Sequence, residues 1–579
     1  MEQLENTTID RRMLTKTLHN FAILLELSGA NPFKVRAIIH AAETIEHLDG
    51  ETVRLADIIQ LAGIGKGIRT LVEEFACTGS FAEYRSILQH VPESLLEVTQ
   101  LRGLGAKKVR LLWKELGVES INDLEKAAKA GKIATLKGFG AKTQANILQA
   151  IAEYREACTR FHVHTATYEA ERLSEKFRRC HSVRSAEIVG ELRQGEETVS
   201  QIVILLATQH FEQIVECCAH DEECSSGHWD GVTLLMTSTR GIPTRVQCVA
   251  PESFIIELHR YSSSLKFHTE LLNKLANAIS TSVSLSSEEE LYHCAGIPYV
   301  PPELRYDPSV LTDNTLLQRL PSLVSMKDIR GAVHVHTTWS DGRHSIRQMA
   351  ERARALGYEY IAICDHSRSA SYANGLSEER VKCQHEEIDK LNAERIGIRI
   401  LKGIESDILP DGSLDYPDSL LETFDIVVAS VHSALTMTRE VMTERIKRAL
   451  EHPSTTILGH PTGRLLLKRR GYEVDWDCIL ETAYKHGKIL EINANPYRLD
   501  ISADIAAKAY QAGIALAINT DAHSCEDLGY MRFGLSVARR AGIPASAVVN
   551  TYSWKKIVQY MRERKMFLTK SDSAFPHTL

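Results

Sequence analysis

The stretch 331–342, GAVHVHTTWSDG, decides the fold of the second half of the chain. Its apolar residues end in His334 and His336, and a β-strand would place both imidazoles on one face, where they can bind the same ion. Six later segments repeat this plan of an apolar strand that ends in a histidine, a carboxylate or another polar residue, with helical segments between them. They are YIAICDHS, IRILKGIES, IVVASVHS, TTILGHPT, KILEINANP and IALAINTDAHS.

This alternation predicts an α/β barrel, in which the active site lies at the carboxyl ends of the strands. A single histidine in such a place is as often a core residue as a ligand, but the repeated placement favours a metal site. The candidate ligands are His334, His336, Asp341, His366, Glu405, His432, His460, Asp521 and His523. Imidazole with carboxylate suits zinc, manganese or iron better than magnesium or calcium. Nine ligands would serve two or three ions, with Glu405 as a possible bridge.

Clustered divalent ions acidify water and neutralise the charge of a phosphate, so the pattern predicts phosphate ester hydrolysis. Two nearby residues are weaker candidates. Arg464, four residues after His460, could hold a substrate phosphate bidentately, although an exposed arginine is the plain alternative. Asp365 is expected to support a ligand rather than to bind metal.

The first 160 residues read as short amphipathic helices interrupted by three glycine hairpins. The hairpin residues are Gly63, Gly65 and Lys66, then Gly103, Gly105 and Lys107, then Gly138, Gly140 and Lys142. Each hairpin exposes backbone N–H groups at a helix start, which suits a DNA phosphate. Residues 101–142 hold ten Lys/Arg against four Asp/Glu, which fits DNA contact. A purely structural helix cap is the alternative, above all for the third hairpin.

Composition narrows the class of protein. A chain of 579 residues should form several domains, and its net charge of -7 requires any basic DNA-binding surface to be local. No apolar run is long enough to span a bilayer, and the first residues do not read as a signal peptide. The 12 scattered cysteines indicate reduced thiols in a cytoplasm.

The ordered motifs HVHTTWSDG, CDHS, GIES, SVHS, GHPTGR and NTDAHS resemble those of the PHP (polymerase and histidinol phosphatase) family. The resemblance implies a distorted (β/α)7 barrel with a trinuclear metal site. It assigns the first ion to His334, His336, Glu405 and Asp521, the second to Glu405, His432 and His460, and the third to Asp341, His366 and His523. The residues expected to carry catalysis are His334, His336, Glu405, His432, Asp521 and His523.

The order of segments resembles the bacterial family X DNA polymerases almost from end to end, through LLELSGANPFKVRAIIHAAETIE, GELRQGEETV and APESF. The resemblance implies a multidomain chain with an all-α helix–hairpin–helix region, an α+β nucleotidyltransferase-like palm and a C-terminal PHP barrel. The expected domains are an 8-kDa-like helical domain at 1–85, a second hairpin region at 86–160, palm and thumb at 161–310, a linker at 311–327 and the PHP domain at 328–579. The resemblance also implies that the protein is cytoplasmic and associated with the bacterial nucleoid.

The palm departs from the family pattern at the positions of its chemistry. Glu191 stands where the family has the serine that meets nucleotide phosphates. The family's three metal-binding aspartates are replaced by Gln201, Val203 and Arg245. These side chains cannot hold magnesium for nucleotidyl transfer, so we expect a palm without polymerase activity and without reliable dNTP binding. The Schiff-base lysine of lyase-active relatives is replaced by Leu71, so lyase activity is not assigned.

Three functions remain open. The favoured one is a DNA-repair phosphoesterase that acts on gapped, nicked or 3′-ended DNA as a 3′–5′ exonuclease, 3′-end-processing enzyme or abasic-site nuclease, with two or three Mn²⁺, Zn²⁺ or Fe²⁺ ions. The second is an active family X polymerase with an associated exonuclease. The third is a small-molecule phosphatase of the histidinol-phosphatase type, which would leave the hairpins without a role.

Overall fold

A computed structural model describes residues 7–46, 48, 52–219, 227–278 and 285–565. The chain divides into two compact units, Met1–Cys158 and Thr159–Leu579. The extreme ends of the first and last predicted domains, residues 1–6 and 566–579, lie outside the described residues.

The first unit is helical, apart from a small antiparallel ribbon of Thr8–Asp10 and Thr52–Arg54. Its helices are Arg11–Ser28, Pro32–Glu46, Leu55–Ile59, Lys66–Thr78, Ala82–Leu88, Leu95–Thr99, Ala106–Leu116, Ile121–Lys129 and Ala141–Cys158. The long first helix contributes Phe21 to one apolar cluster and Leu24 to a second, and each cluster packs at least one hairpin. One helix therefore ties the hairpin modules into a single body.

The three hairpins share one backbone conformation. Gly63, Gly103 and Gly138 have φ values of 90°, 81° and 87°, a left-handed region in which a Cβ is strained. The residue between the two glycines of each hairpin is buried, whereas the glycines are exposed. A helix begins directly after the second glycine of each hairpin, so the first N–H groups of that helix have no partner within it.

The second unit begins with the palm, a five-stranded sheet with three antiparallel pairings and one parallel pairing. Its strands, in sheet order, are Ser185–Val189, Ile202–Ala207, Pro243–Val249, Thr233–Thr237 and His228–Trp229. A short ribbon, Phe161–His162 with Thr198–Val199, lies beside it. The helices are Val163–Arg178, Phe211–Ala219, Phe254–Tyr261, Leu265–Ala278 and Glu288–Cys294.

The segment predicted as a linker is packed rather than extended. Residues 311–327 contain the helix Asn314–Arg319, and Leu317, Leu320 and Leu323 join a buried cluster with residues of the thumb-like helices. Val324 already belongs to the core of the following domain. Closely spaced apolar residues account for this packing. They were hard to recognise in the sequence because a proline-rich stretch precedes them.

The rest of the unit is a nearly closed barrel of seven parallel strands in sequence order. They are Gly331–Val335, Tyr360–Ile363, Arg399–Asp407, Ile426–Ser430, Ile457–Leu458, Ile489–Asn493 and Leu516–Asn519. The intervening and closing helices are Ile346–Ala355, Glu378–Ala393, Asp418–Leu421, Arg439–Glu451, Trp476–Lys485, Ala503–Gln511, Met531–Arg540 and Trp554–Lys565. An isolated parallel bridge from Val335 to Ala522 links the first strand to the residues that follow the last.

Alternate strand residues enter two separate apolar clusters. Val427 and Ala429 pack with the outer helices, whereas Ile426 and Val428 belong to the cluster on the opposite, interior face. The helices cover a sheet that is buried on both faces, which explains its nearly continuous apolar strands. None of the described helices is long and apolar enough to cross a lipid bilayer.

Candidate active site

All nine predicted ligands lie together at the carboxyl ends of the barrel strands. His334 and His336 end the first strand, Glu405 lies in the third, and the others occupy the loops that follow the first, second, fourth, fifth and seventh strands. Six of them are buried, namely His334, His336, His366, Glu405, His460 and Asp521. Asp341, His432 and His523 are half-buried.

Glu405 is the centre of the cluster. Its Oε1 lies 2.9 Å from Nε2 of His460 and 3.2 Å from Nε2 of His432. Its Oε2 lies 3.0 Å from Nδ1 of His366, and 3.6 Å from Nε2 of both His334 and His336. One carboxylate thus faces five imidazoles that come from four different strand ends, which is the position of a bridging ligand.

The other two carboxylates share histidines with Glu405, and Asp341 also faces His523. Oδ1 of Asp521 lies 3.0 Å from Nε2 of His336, and Oδ1 of Asp341 lies 3.4 Å from Nε2 of His523. Oδ2 of Asp341 lies 3.6 Å from Nε2 of His366. Carboxylates therefore alternate with imidazoles throughout the cluster.

Mutual electrostatics dominate the protonation of these groups. Burial disfavours a charged imidazole, but Glu491 and Glu405 outweigh it and raise the pKa of His334 well above its usual value. Burial also opposes ionisation of Glu405, yet His432 and His366 hold the pKa of that carboxyl well below its usual range. Burial, reinforced by His523, lowers the pKa of His336 to about 3. The ionised Glu405 and the neutral His336 are ready to bind a cation, whereas His334 must first lose its proton.

Two ligand positions adopt a backbone conformation that non-glycine residues rarely accept. His460 has a φ of 22° and Asp521 a φ of 51°. Such strain tends to gather at functional sites, where the surrounding structure imposes it. Here it turns each side chain back from its strand end into the cluster.

The donor set fits divalent metal ions. Nε2 of His334 and Oε2 of Glu405 are both buried, and neither has a hydrogen-bond partner among the described residues, a costly arrangement unless a cation satisfies them. Three groups offer ligand atoms within 4.8 Å of one another. They are His336, Asp341, His366 and His523; His334, His336 and Asp521; and His366, Glu405 and His432.

These groups differ in detail from the three sets that the PHP resemblance implied. His336 and His366 each belong to two groups, so they lie between neighbouring sites rather than within one. His460 is in none of the three groups, although its Nε2 lies 2.9 Å from Glu405. The division of the nine ligands among individual ions therefore stays a prediction.

Two supporting carboxylates were not predicted from the sequence. Glu491 accepts a hydrogen bond from Nδ1 of His334 at 2.7 Å and from the backbone N–H of His460 at 2.7 Å. Asp407 lies 2.5 Å from Nδ1 of His432. Both carboxylates orient ligand imidazoles and fix which ring nitrogen faces the site. The alternation of strand residues was the available signal. Glu491 lies two residues after Ile489 on the interior face, and Asp407 lies two residues after Glu405, so each shares the face of that residue.

Asp365 supports the site in the manner expected. Its carboxylate accepts hydrogen bonds from the N–H and hydroxyl of Thr337, both at 2.7 Å, and from Nε2 of Gln384 at 2.7 Å. Every one of these donors belongs to the protein framework. Asp365 therefore holds the loop that follows His336 rather than facing the ligand cluster.

Arg464 does not have the position expected of a phosphate-binding residue. Its Nη2 donates to Oε1 of Glu197 in the palm at 2.7 Å and to the carbonyl of Leu499, and its Nε donates to the carbonyl of Arg498 at 3.0 Å. Protein acceptors thus occupy the guanidinium. Arg498 is closer to the cluster, because its Nε lies 3.6 Å from Oδ2 of Asp521.

The four altered palm positions also gather in one place. Val203 pairs directly with Arg245 on the neighbouring strand, and Gln201 is exposed just before the strand that contains Val203. Glu191 accepts hydrogen bonds from the N–H of Ser200 at 2.6 Å and its hydroxyl at 2.8 Å, and it contacts Arg160 at 3.2 Å. None of the three strand positions at this place carries a carboxylate.

Comparisons with known proteins agree with this architecture. Residues 332–495 match the PHP domain, residues 10–81 match a helix-hairpin-helix domain, and residues 95–153 match a SAM-like helix-hairpin-helix tandem. A probable phosphatase of Thermoanaerobacter sp. (strain X514) is 31% identical over 244 residues, which are 40% of this chain and 94% of the relative. A probable phosphatase of Vibrio campbellii is 24% identical over 251 residues, 41% of this chain and 94% of the relative. The PHP barrel with its histidine and carboxylate cluster makes the chain a metal-dependent phosphoesterase.

A longer similarity runs through the whole chain. The DNA polymerase/3′-5′ exonuclease PolX of Bacillus subtilis (strain 168) is 36% identical over 571 residues. These residues are 95% of this chain and 99% of the relative. With the hairpin matches at one end and the PHP match at the other, this similarity confirms the family resemblance seen in the sequence, and the chain belongs to the PolX family.

Proposed function

We propose that this protein is a DNA-repair nuclease whose only catalytic centre is the PHP barrel, and that it removes or trims 3′ ends of gapped, nicked or otherwise 3′-ended DNA. A 3′–5′ exonuclease best fits the activity named for the B. subtilis relative. The observation that supports the proposal most is Glu405, which faces five imidazoles at the mouth of the barrel.

The proposed cofactors are two or three Mn²⁺, Zn²⁺ or Fe²⁺ ions, held by the nine ligands, since mixed imidazole and carboxylate donors suit these metals. When bound, such ions would acidify a water and neutralise charge on the phosphate. Glu405 would join neighbouring positions, and Glu491 and Asp407 would hold His334 and His432 in their binding orientation. We assign catalysis to His334, His336, Glu405, His432, Asp521 and His523.

Arg498 is the residue we propose for the substrate phosphate. Its side chain is 20% exposed and its guanidinium lies beside Asp521, so it can reach both the cluster and an incoming anion. A planar guanidinium donates two parallel hydrogen bonds to a phosphate, which positions the scissile bond as well as attracting it.

The three hairpins are the proposed DNA platform. Their exposed glycines and the lysines Lys66, Lys107 and Lys142 place N–H groups and positive charge at the starts of three helices. Such contacts recognise the backbone without reading sequence, as a repair enzyme that meets many sequences requires. A protein bound in this way would reside with the nucleoid.

The palm is proposed to lack polymerase activity. Val203 and Arg245 face each other across the strand pair where two metal-binding carboxylates are needed, and Gln201 offers only an amide. The carboxylate of Glu191 occupies the loop that would cradle nucleotide phosphates, and it would repel them. Binding of dNTPs is therefore not expected.

One experiment tests both the nuclease activity of the barrel and the lack of polymerase activity in the palm. End-labelled gapped DNA is incubated with the protein and Mn²⁺, with and without dNTPs. We expect shortening of the 3′ end in both reactions and no extension. The double variant His334→Ala/His336→Ala should lose hydrolysis and keep its DNA affinity. Full nuclease activity in this variant would overturn the assignment of the barrel.

An active DNA polymerase is the second candidate. The B. subtilis relative is named a DNA polymerase, and the similarity covers 99% of its length. Robust primer extension in the reaction with dNTPs would establish it and refute the inactive palm. The probable phosphatases match the barrel region alone, which keeps a small-molecule phosphatase as a third candidate. DNA affinity that falls steeply with salt would argue against it, since such a phosphatase has no use for phosphate-backbone contacts.

A further inference from the structure

Tyr372 is a large exposed side chain at the edge of the metal-ligand cluster. It lies in the short 3-10 turn Ser371–Ala373, in the loop after the second barrel strand, and 69% of its surface is exposed. The centroid of its ring lies 6.0 Å from that of His366 and 6.3 Å from that of His432. A flat apolar surface therefore lies beside two proposed ligands and faces solvent.

The loop that carries this ring is anchored at several points. Ser369 donates its N–H to the carboxylate of Asp415 at 2.7 Å and its hydroxyl to Asp407 at 2.9 Å. Tyr416 donates its hydroxyl to the carbonyl of Leu376 at 2.5 Å. A fixed loop loses little conformational entropy when a ligand binds, so the ring is held ready for a contact.

Single exposed aromatic residues are common on protein surfaces and need no function. Tyr372 differs from the exposed Tyr306 in its place, because its ring centroid lies 6.0 Å from that of His366, one of the groups that would hold a metal ion beside the scissile phosphate. In a DNA strand a single sugar joins each base to its phosphate, so the terminal base must lie near the scissile phosphate. An aromatic ring there would meet the flat face of that base.

We propose that Tyr372 is a stacking platform for the base of the 3′-terminal nucleotide, a specificity determinant that makes the barrel act on nucleotides rather than on phosphate esters in general. This inference rests on the function proposed above. Every base has a π face, so the platform accepts all four bases. Loss of one such contact lowers kcat/KM by about 5- to 150-fold.

The test compares two single-stranded DNA substrates that differ only in the last residue, which carries a base or is an abasic tetrahydrofuran analogue. The enzymes are the wild type, Tyr372→Ala, Tyr372→Phe and the control Tyr306→Ala, all as full chains with Mn²⁺. Tyr372→Ala should lower kcat/KM about 10-fold or more on the base-bearing substrate and leave it unchanged on the abasic one. Tyr372→Phe and Tyr306→Ala should match the wild type on both.

Each departure from this pattern has a defined meaning. Equal losses on the two substrates by Tyr372→Ala would overturn the stacking role in favour of a structural one, and thermal unfolding would check the fold. A loss in Tyr372→Phe as large as in Tyr372→Ala would assign the effect to the hydroxyl and overturn stacking. An unchanged Tyr372→Ala would refute the inference and leave the nuclease function intact. A wild type that hydrolyses neither substrate would overturn both.

Discussion

Glu197 of the palm accepts a hydrogen bond from Nη2 of Arg464 at the rim of the barrel, at 2.7 Å. Arg464 in turn holds the carbonyls of Arg498 and Leu499. The palm thus reaches, through one arginine, the segment that carries the proposed phosphate-binding guanidinium.

Removal of this contact should slow hydrolysis without changing DNA binding. In Glu197→Ala, the segment around Arg498 loses an anchor, and a small displacement of a positioning group costs about 10-fold or more in rate. Measured kcat on a 3′-ended DNA should fall accordingly. The matched control is Glu196→Ala, which breaks a palm-to-barrel ion pair with Arg540 and leaves the contact between Glu197 and Arg464 in place. Equal effects of the two variants would show that the interface acts only on stability.

The substitution Glu491→Gln should weaken metal binding. Glu491 accepts hydrogen bonds from Nδ1 of His334, the N–H of His460 and Nδ2 of Asn519, so an amide would turn an N–H toward a donor. Loss of such an orienting carboxylate costs about 10- to 100-fold in metal affinity. Titration with Mn²⁺ by calorimetry measures it, with the exposed Glu473→Gln as control. Wild-type affinity in Glu491→Gln would contradict the orienting role.

Lys107 at the second hairpin should contribute to DNA affinity by contacting one phosphate. In Lys107→Ala, the slope of log affinity against log salt concentration should decrease in magnitude by about 1, with the same effect on all DNA sequences. Fluorescence anisotropy over a range of salt concentrations gives the slope. Lys126→Ala, an exposed lysine of the neighbouring helix, should leave it unchanged. Identical slopes for both variants would remove this hairpin from the DNA platform.

The palm contains a histidine that should make stability depend on pH. His259 is fully buried, with Nδ1 2.8 Å from Nδ1 of His268 and Nε2 2.9 Å from the hydroxyl of Tyr292. Burial, together with the charge of Arg305, lowers the pKa of His259 to about 2. The folded state therefore keeps this imidazole neutral, while the unfolded chain takes up a proton near pH 6.5.

Because the folded pKa is the lower one, this stability is present above pH 6.5 and is lost as the pH falls below it. Between pH 7 and pH 5 the loss from His259 alone is about 2 kcal/mol. Urea unfolding at the two pH values should show a smaller difference in His259→Gln than in the wild type. A variant with the wild-type pH dependence would exclude His259 as the source.

Much of this architecture could be predicted because its signals are local. Six of the seven barrel strands are short apolar runs that carry or lead into a candidate ligand, and a parallel barrel brings such ends together whatever the lengths of the connections. Each hairpin glycine needs a left-handed φ, which the residue type itself reveals. The nine ligands and the hairpins were therefore identifiable from residue type and spacing.

The features that sequence reasoning missed depend on distant partners. Glu197 and Arg464 are 267 residues apart, so an arginine beside a ligand motif gave no sign that a palm residue binds it. Glu491 lies in a buried strand, and its role follows only from the register that sets it against His334, 157 residues earlier. The packing of the predicted linker, 311–327, was not foreseen, because its leucines form a buried cluster only together with residues of the thumb-like helices.

Glu191 is held in place by polar neighbours in the palm. Its carboxylate is the acceptor for the N–H and hydroxyl of Ser200, and it neutralises part of the charge of Arg160. A serine at position 191 would remove the acceptor of the Ser200 N–H and hydroxyl and lower stability, although Arg160 would keep its hydrogen bonds to Thr198. We therefore expect that Glu191→Ser alone would not create a nucleotide-binding loop, since Ser200 would also need a new hydrogen-bond acceptor.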